Sequence, residues 1–196
     1  MKRLFIVALL ALTVTASRAA NFQYNVTLDG PTEPSTSTGI GFGLVTYNDV
    51  LHTLALQLTF SGLVQTGTGT TVSHIHAATA APLTGTASVA TTSTGFANFP
   101  AGVRSGGYTN TLDLTQASSF NASFITANGG TVTTAEAALA AAMATGKAYW
   151  NLHSSTFGGG EIRGFLVAVP EPTTLALGGF VLLGLLARRG FRRRDS

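Results

Sequence analysis

Apolar residues recur at every second position in several short segments of this chain. In the clearest segment, Leu54, Leu56, Leu58 and Phe60 share one phase, with polar or small residues between them. Successive side chains of a β-strand point to opposite faces, so this period is that of a half-buried strand and not of a helix. The segment therefore predicts a strand with one face in a hydrophobic core.

Further segments of the same kind are separated by turn-forming residues. Alternation is present over 22–28, and the runs 108–114 and 119–125 are rich in β-branched or aromatic residues. Glycine, proline, Asn and Asp punctuate the chain between them, as in Asp29-Gly30-Pro31. About eight strands at this spacing predict an all-β fold, an antiparallel Greek-key-like β-sandwich or barrel.

One segment has a helical pattern instead. Thr133 is followed three residues later by Glu136, the spacing of a capping box, and the run 135–144 consists mostly of alanine. Gly146 provides a stop signal at the end of the run. We therefore expect one short helix before the penultimate strand, which the pattern places at 148–153.

The N-terminus has the pattern of a secretory signal peptide. The basic pair Lys2-Arg3 precedes an apolar run over 4–14, and Ser17-Arg18-Ala19 offers small residues for cleavage. A signal peptide is therefore predicted at 1–19, and a single folded domain at 20–168, which is long enough to bury a core.

The C-terminus, 169–196, has three parts. Pro170-Glu171-Pro172 is followed by an apolar run over 173–187 and then by five arginines between 188 and 194. The apolar run has 15 residues, fewer than the roughly 20 of a permanent membrane span, and the arginines would stay on the cytoplasmic side. A short transmembrane helix is predicted here; an ordinary C-terminal membrane anchor is the alternative interpretation.

This tail resembles the PEP-CTERM sorting signal of Gram-negative bacteria, with Pro170-Glu171-Pro172 at the motif position. The resemblance implies an exported protein that is handled by exosortase-type sorting machinery after transient anchoring in the inner membrane. It also implies work in the cell envelope or outside the cell, often in strains that make extracellular polysaccharide.

Charge and cysteine content exclude several functions. Between residues 20 and 168 three basic residues stand against six acidic ones, a net charge of −3, because most of the arginines lie in the tail. No basic patch is left to bind nucleic acid. The chain contains no cysteine, which excludes disulfides and thiolate chemistry.

Two histidine-bearing segments carry a second resemblance. The first is His74-Ile75-His76, and the second is the run 149–153, which reads Tyr-Trp-Asn-Leu-His and is followed by Gly160-Glu161-Ile162-Arg163-Gly164. Together they resemble the CHRD domain, a module first named from chordin and widespread in secreted bacterial proteins. The resemblance spans roughly 22–166.

Strand geometry predicts where these histidines point. His74 and His76 share one face of their strand, and the apolar Ile75, Trp150 and Leu152 are the natural core residues. We therefore expect all three histidines, with His153 as the third, to leave the core and face either solvent or a covering loop.

If the two strands lie close together, His74, His76 and His153 could form a three-nitrogen site for Cu or Zn, since imidazole suits both metals. The alternative is structural, with the histidines bonding to backbone and hydroxyl groups that hold loops in place. His52 follows a predicted turn and is interpreted as a turn-edge residue.

Glu161 and Arg163 lie two residues apart after a run of glycines. We expect an exposed pair that bonds internally or with neighbouring strands and contributes little to stability. A functional alternative is that Arg163 binds a carboxylate or sulfate of a polysaccharide.

The pattern gives no support for catalysis. No Ser-His-Asp order is recognisable, and no paired carboxylates flank the histidines. The sequence therefore favours a non-enzymatic exported protein that binds or scaffolds in the envelope or extracellular polysaccharide matrix, with exopolysaccharide or another envelope component as partner. The alternative is a Cu/Zn-binding or redox module built on His74, His76 and His153.

Overall fold

The structure, a computed structural model, describes residues 21–64 and 66–170. The predicted signal peptide, Glu171, Pro172 and the apolar part of the tail lie outside these residues. The strands and helices run in this order: β1 (Asn21–Asp29), β2 (Ile40–Asn48), β3 (Thr53–Ser61), β4 (Thr70–His76), β5 (Gly106–Asp113), a 3-10 turn (Ala117–Ser119), α1 (Ala122–Ala127), α2 (Val132–Ala144), β6 (Tyr149–Ser154), β7 (Ile162–Phe165) and β8 (Val167–Ala168).

All eight strands belong to one sheet. Their spatial order is β4-β6-β7-β1-β2-β3-β5, with β8 also paired to β1, and every pairing is antiparallel. The sheet curls into a half-barrel, and only 15% of the described residues are helical. The predicted all-β antiparallel class is therefore confirmed.

The inner face of the sheet holds the core, as the alternation predicted. Leu54, Leu56, Leu58 and Phe60 are all at most 4% exposed. Strand pairing places Leu56 opposite Val45, and Tyr24 lies on the other side of Val45 in the same row. Burial of such side chains is the main stabilising contribution to a domain without disulfides.

The long helix is confirmed, but its predicted N-cap is wrong. The cap is Thr131, whose Oγ1 accepts a hydrogen bond from the Thr134 backbone N (3.2 Å), while the Thr134 hydroxyl accepts one from the Thr131 N (3.3 Å). Glu136 is instead buried and accepts hydrogen bonds from Tyr47 Oη (2.9 Å) and His52 Nδ1 (2.9 Å). The carboxylate therefore does not cap the helix. It links α2 to Tyr47 of β2 and to His52, which immediately precedes β3.

The expected strand at 119–125 is also wrong, since this segment contains α1. Asn121 caps the helix through its side-chain oxygen, which accepts a hydrogen bond from the Ser123 N (3.1 Å). Phe120 and Phe124 are both buried with their rings 6.5 Å apart. Phe120 is extended and precedes the cap, whereas Phe124 lies inside the helix, and aromatic content alone does not distinguish the two conformations.

Membrane-spanning helices are not found in the part of the chain that the structure describes: none of its helices has both the length and the hydropathy to cross a bilayer. The short transmembrane helix predicted in the tail lies beyond Pro170 and stays a prediction.

Candidate metal centre

Strands β4 and β6 are neighbours, and their register brings the two histidine segments together. His74 pairs with Asn151 and His76 with Tyr149 in the antiparallel ladder. On the opposite face Ile75 and Trp150 are fully buried, as the sequence predicted. A two-residue period on adjacent strands therefore places His74, His76 and His153 on one side of the sheet.

The three histidine side chains form a buried cluster. His74 is 5% exposed, and His76 and His153 are each 8% exposed. One ligand nitrogen from each ring lies within 4.8 Å of those of the other two. The expectation of a solvent-facing position is therefore wrong, and the alternative of a covering loop is the one that the structure supports.

Backbone carbonyls orient two of the three rings. His76 Nδ1 donates a hydrogen bond to the Ala87 carbonyl (2.9 Å), and His153 Nδ1 donates one to the Gly158 carbonyl (2.9 Å). A carbonyl can only accept, so each Nδ1 carries the proton and each Nε2 keeps a free lone pair. Such second contacts commonly fix the tautomer of metal-binding histidines.

Each of the three rings has one buried nitrogen without a hydrogen-bond partner among the described residues. His76 Nε2, His153 Nε2 and His74 Nδ1 are all buried, and none makes a hydrogen bond to any of the described residues. A buried polar atom without a partner is costly and calls for an explanation. All three atoms belong to one histidine cluster, and an ion bound there would supply the missing partner.

Burial keeps the three rings uncharged. Desolvation lowers the pKa of His74 to about 4, with further lowering from His153 and His76. Desolvation also lowers the pKa of His76 and of His153, against a smaller opposing effect of their carbonyl partners. Near neutral pH all three imidazoles are therefore neutral, which is the form that binds metal.

The donor set suits Cu or Zn. Two nitrogens held about 2.0 Å from one tetrahedral ion lie about 3.3 Å apart. The candidate ligand atoms lie within 4.8 Å of one another, so an ion bound between them would draw the rings closer together. Three imidazoles would leave a fourth position of a four-coordinate ion to another ligand.

A covering loop after β4 encloses the cluster. Tyr149 stacks on His76 with ring centroids 4.7 Å apart, and its hydroxyl donates to the Ala87 carbonyl (3.1 Å) that also accepts from His76. Sequence reasoning missed Ala87 and Gly158, because a backbone carbonyl is common to every residue and leaves no signal in the sequence.

Comparison with known families matches the CHRD domain model to residues 22–166. The chain belongs to the CHRD domain family. The match includes both histidine segments and the glycine-flanked run that ends at Gly164.

Behind the CHRD domain, residues 168–194 match the PEP-CTERM protein-sorting motif. The protein is therefore exported and sorted by exosortase-type machinery. Of the predicted motif residues Pro170, Glu171 and Pro172, the structure describes only Pro170, which is exposed. No curated protein and no solved structure matches the chain.

Glu161 of the CHRD domain differs from the sequence expectation. Its side chain is fully buried, and Oε1 accepts hydrogen bonds from Ser37 Oγ (2.7 Å) and from the Val64 backbone N (2.7 Å). Glu161 therefore ties the loop before β2 to the segment after β3. The prediction that Glu161 forms an exposed pair with Arg163 is wrong, because Glu161 is buried.

Arg163 is buried as well, at 6% exposure. Its Nε donates to the Thr32 carbonyl (2.6 Å) and lies 3.3 Å from Glu33 Oε2. Its guanidinium lies over the Tyr149 ring, 4.9 Å from the centroid. Burial and these contacts leave Arg163 inaccessible to a polysaccharide chain, so the alternative of carboxylate or sulfate binding is not supported.

His52 lies outside the cluster, at the turn that precedes β3. Its backbone has a φ of 53°, and its Nδ1 lies 2.9 Å from Glu136 Oε2. The interpretation as a turn-edge residue is confirmed.

Proposed function

We propose that this exported CHRD-domain protein acts in the cell envelope or the extracellular polysaccharide matrix by binding, without catalysis. The bound species is a transition metal, copper or zinc, held by His74, His76 and His153. The observation that carries the proposal is a cluster of three buried histidines, each of which has a buried ring nitrogen without a hydrogen-bond partner among the described residues.

The contacts of the histidines favour binding over catalysis. A nucleophilic or general-base histidine is usually paired with a hydroxyl or a carboxylate. Here the second nitrogens of His76 and His153 are paired with the carbonyls of Ala87 and Gly158. This arrangement orients ligands but supplies no activated nucleophile.

Metal titration of the full-length protein, purified in mild detergent, tests the proposal. We expect one Cu²⁺ or Zn²⁺ per chain, measured by calorimetry and by elemental analysis after gel filtration. The His74→Ala, His153→Ala double variant should bind about 100-fold more weakly or worse, because two of three ligands are gone.

The matched control is His52→Ala, which removes the one histidine of the described residues that lies outside the cluster. It should keep the wild-type stoichiometry and affinity. Equal, weak binding by the wild type and the double variant would end the proposal.

A second candidate function rests on the outer face of the sheet. An open depression of about 470 Å³ crosses β2, β3 and β5 and is lined only by uncharged residues. Phe42 is 57% exposed there, beside Gln57, Thr59 and Thr109. An aromatic ring among amides and hydroxyls complements the C–H faces and hydroxyls of an uncharged polysaccharide.

Affinity electrophoresis in gels that contain the producer's own exopolysaccharide tests this second candidate. The wild type should be retarded, and Phe42→Ala should lose most of the retardation because it removes the exposed ring. Leu51→Ala, a change at a 67% exposed turn residue, should leave the retardation unchanged. Retardation that is equal for all three proteins, or a Phe42-dependent dimer in light scattering, would contradict polysaccharide binding.

A further inference from the structure

We propose that the three-histidine cluster is selective for monovalent copper, Cu(I), over the divalent ions Cu²⁺ and Zn²⁺. The inference rests on the proposed metal site and concerns which ion occupies it. Its basis is a buried ligand set that contains three imidazoles and no carboxylate.

The ligand set itself supplies no negative charge. Among the described residues the group that could hold an ion consists of three imidazoles and includes no carboxylate. The chain has no cysteine that could contribute a thiolate. An ion bound here would keep its full charge, because all three ligands are neutral.

A positive charge lies one side chain away from the cluster. Arg163 lies over one side of Tyr149, and His76 stacks against Tyr149, so the three side chains are in successive contact. The guanidinium of Arg163 is therefore separated from the His76 ring only by the ring of Tyr149. Glu33 partly neutralises Arg163 through their ion pair, 3.3 Å between the nearest atoms.

Burial makes this charge balance decisive. The desolvation free energy of an ion rises with the square of its charge. It is therefore about four times as large for a divalent ion as for a monovalent ion of similar size. Divalent ions in proteins usually recover this cost from anionic ligands or from bound water. The side chains of this cluster are 5% to 8% exposed and its ligands are neutral. Their interaction with a divalent ion would therefore offset little of the ion's desolvation free energy.

The number of ligands points the same way. Zinc sites in proteins are four-coordinate, and Cu²⁺ prefers tetragonal surroundings with four or more donors. Cu(I) has a filled d shell and is stable with three donors. Three imidazoles from β4 and β6 therefore complete the coordination of Cu(I). Both divalent ions would need at least one further ligand.

Two anaerobic measurements on the full-length protein in mild detergent test the inference. Cu(I) affinity is measured in competition with bicinchoninate, and Cu²⁺ and Zn²⁺ affinities in competition with chelators of known strength. Voltammetry then gives the midpoint potential of the bound copper, with the single electron exchanged at the electrode. We expect Cu(I) to bind at least about tenfold more tightly than Cu²⁺, with a midpoint potential above that of free copper in the same buffer.

A pair of variants tests the electrostatic reason. Arg163→Gln removes the positive charge and should reduce the preference for Cu(I) by roughly tenfold. Glu33→Gln removes the compensating carboxylate and should increase the preference. Shifts of opposite sign distinguish electrostatics from general damage, and Glu33→Gln keeps the test valid if the buried Arg163 variant fails to fold.

The outcomes separate the two proposals. Histidine-dependent binding with a midpoint potential at or below that of free copper would overturn the selectivity and leave the metal site standing. The absence of histidine-dependent binding of Cu(I), Cu²⁺ and Zn²⁺ alike would overturn the metal site, and the selectivity with it.

Discussion

Replacing Gly164 with alanine is expected to lower the free energy of unfolding by about 3 kcal/mol or more. A Cβ atom at this position would lie 2.0 Å from the Thr27 carbonyl oxygen and 2.6 Å from the Thr27 carbonyl carbon. Both atoms belong to the backbone of β1, so no side-chain rotation can relieve the overlap. Either β7 or β1 would have to move.

The position of β7 in the sheet explains the size of this effect. In the strand order, β7 joins the β4-β6 pair that carries the histidines to β1 and the rest of the sheet. Gly164 also lies opposite Trp150 of β6. Displacement of β7 would therefore disturb both halves of the core together.

Urea denaturation of Gly164→Ala and of a matched Gly107→Ala variant measures the difference. Gly107 is an exposed strand glycine, and the nearest atom to its added Cβ would be Leu58 O at 3.8 Å, an ordinary contact. The Gly107 variant should remain within about 0.5 kcal/mol of the wild type. A Gly164 variant of equal stability would show that β1 and β7 do not approach as closely as described.

Replacing Trp150 with alanine is expected to cost about 4 kcal/mol of stability. The indole is completely buried and packs edge-on against Phe96, with ring centroids 5.8 Å apart. Its Nε1 donates a hydrogen bond to Ser73 Oγ (2.7 Å), which links β6 to β4. The change therefore opens a cavity and removes a buried polar contact at the same time.

Trp150→Phe separates these two contributions, because it keeps an aromatic ring but loses the donor to Ser73. We expect its unfolding free energy to fall between those of the wild type and Trp150→Ala. Phe42→Ala, which removes an exposed ring on the outer face, should change stability by less than about 0.5 kcal/mol. Equal losses for Trp150→Ala and Phe42→Ala would refute the burial argument.

Much of the fold could be predicted because the alternation of apolar residues is a direct consequence of strand geometry. Leu54, Leu56 and Leu58 are buried in the phase that the sequence indicates. The strand assignment failed at 119–125, where the extended Phe120 precedes α1 and packs against Phe124 within the helix. Short aromatic runs satisfy both periods, and the Asn121 cap decides in favour of a helix.

The sequence predicted which histidines lie together better than it predicted their burial. A two-residue spacing is enough to place His74 and His76 on one face, but it does not show what covers that face. Every residue of β6 is buried, because loops lie over the side that faces away from the core. Burial by distant segments has no local pattern, so the expected exposure of the histidines, Glu161 and Arg163 was wrong.

By itself, the sequence determined the strand character of the chain, the faces of its strands and its sorting by the C-terminal signal. These properties depend on local spacing and composition, which can be read without knowing the partner of any segment. Only the tertiary structure decided that His153 joins His74 and His76, since the pairing of β4 with β6 connects positions 77 residues apart. It alone also decided that the three rings are buried and neutral, and that the carbonyls of Ala87 and Gly158 orient His76 and His153, because these contacts exist only after the loops have packed.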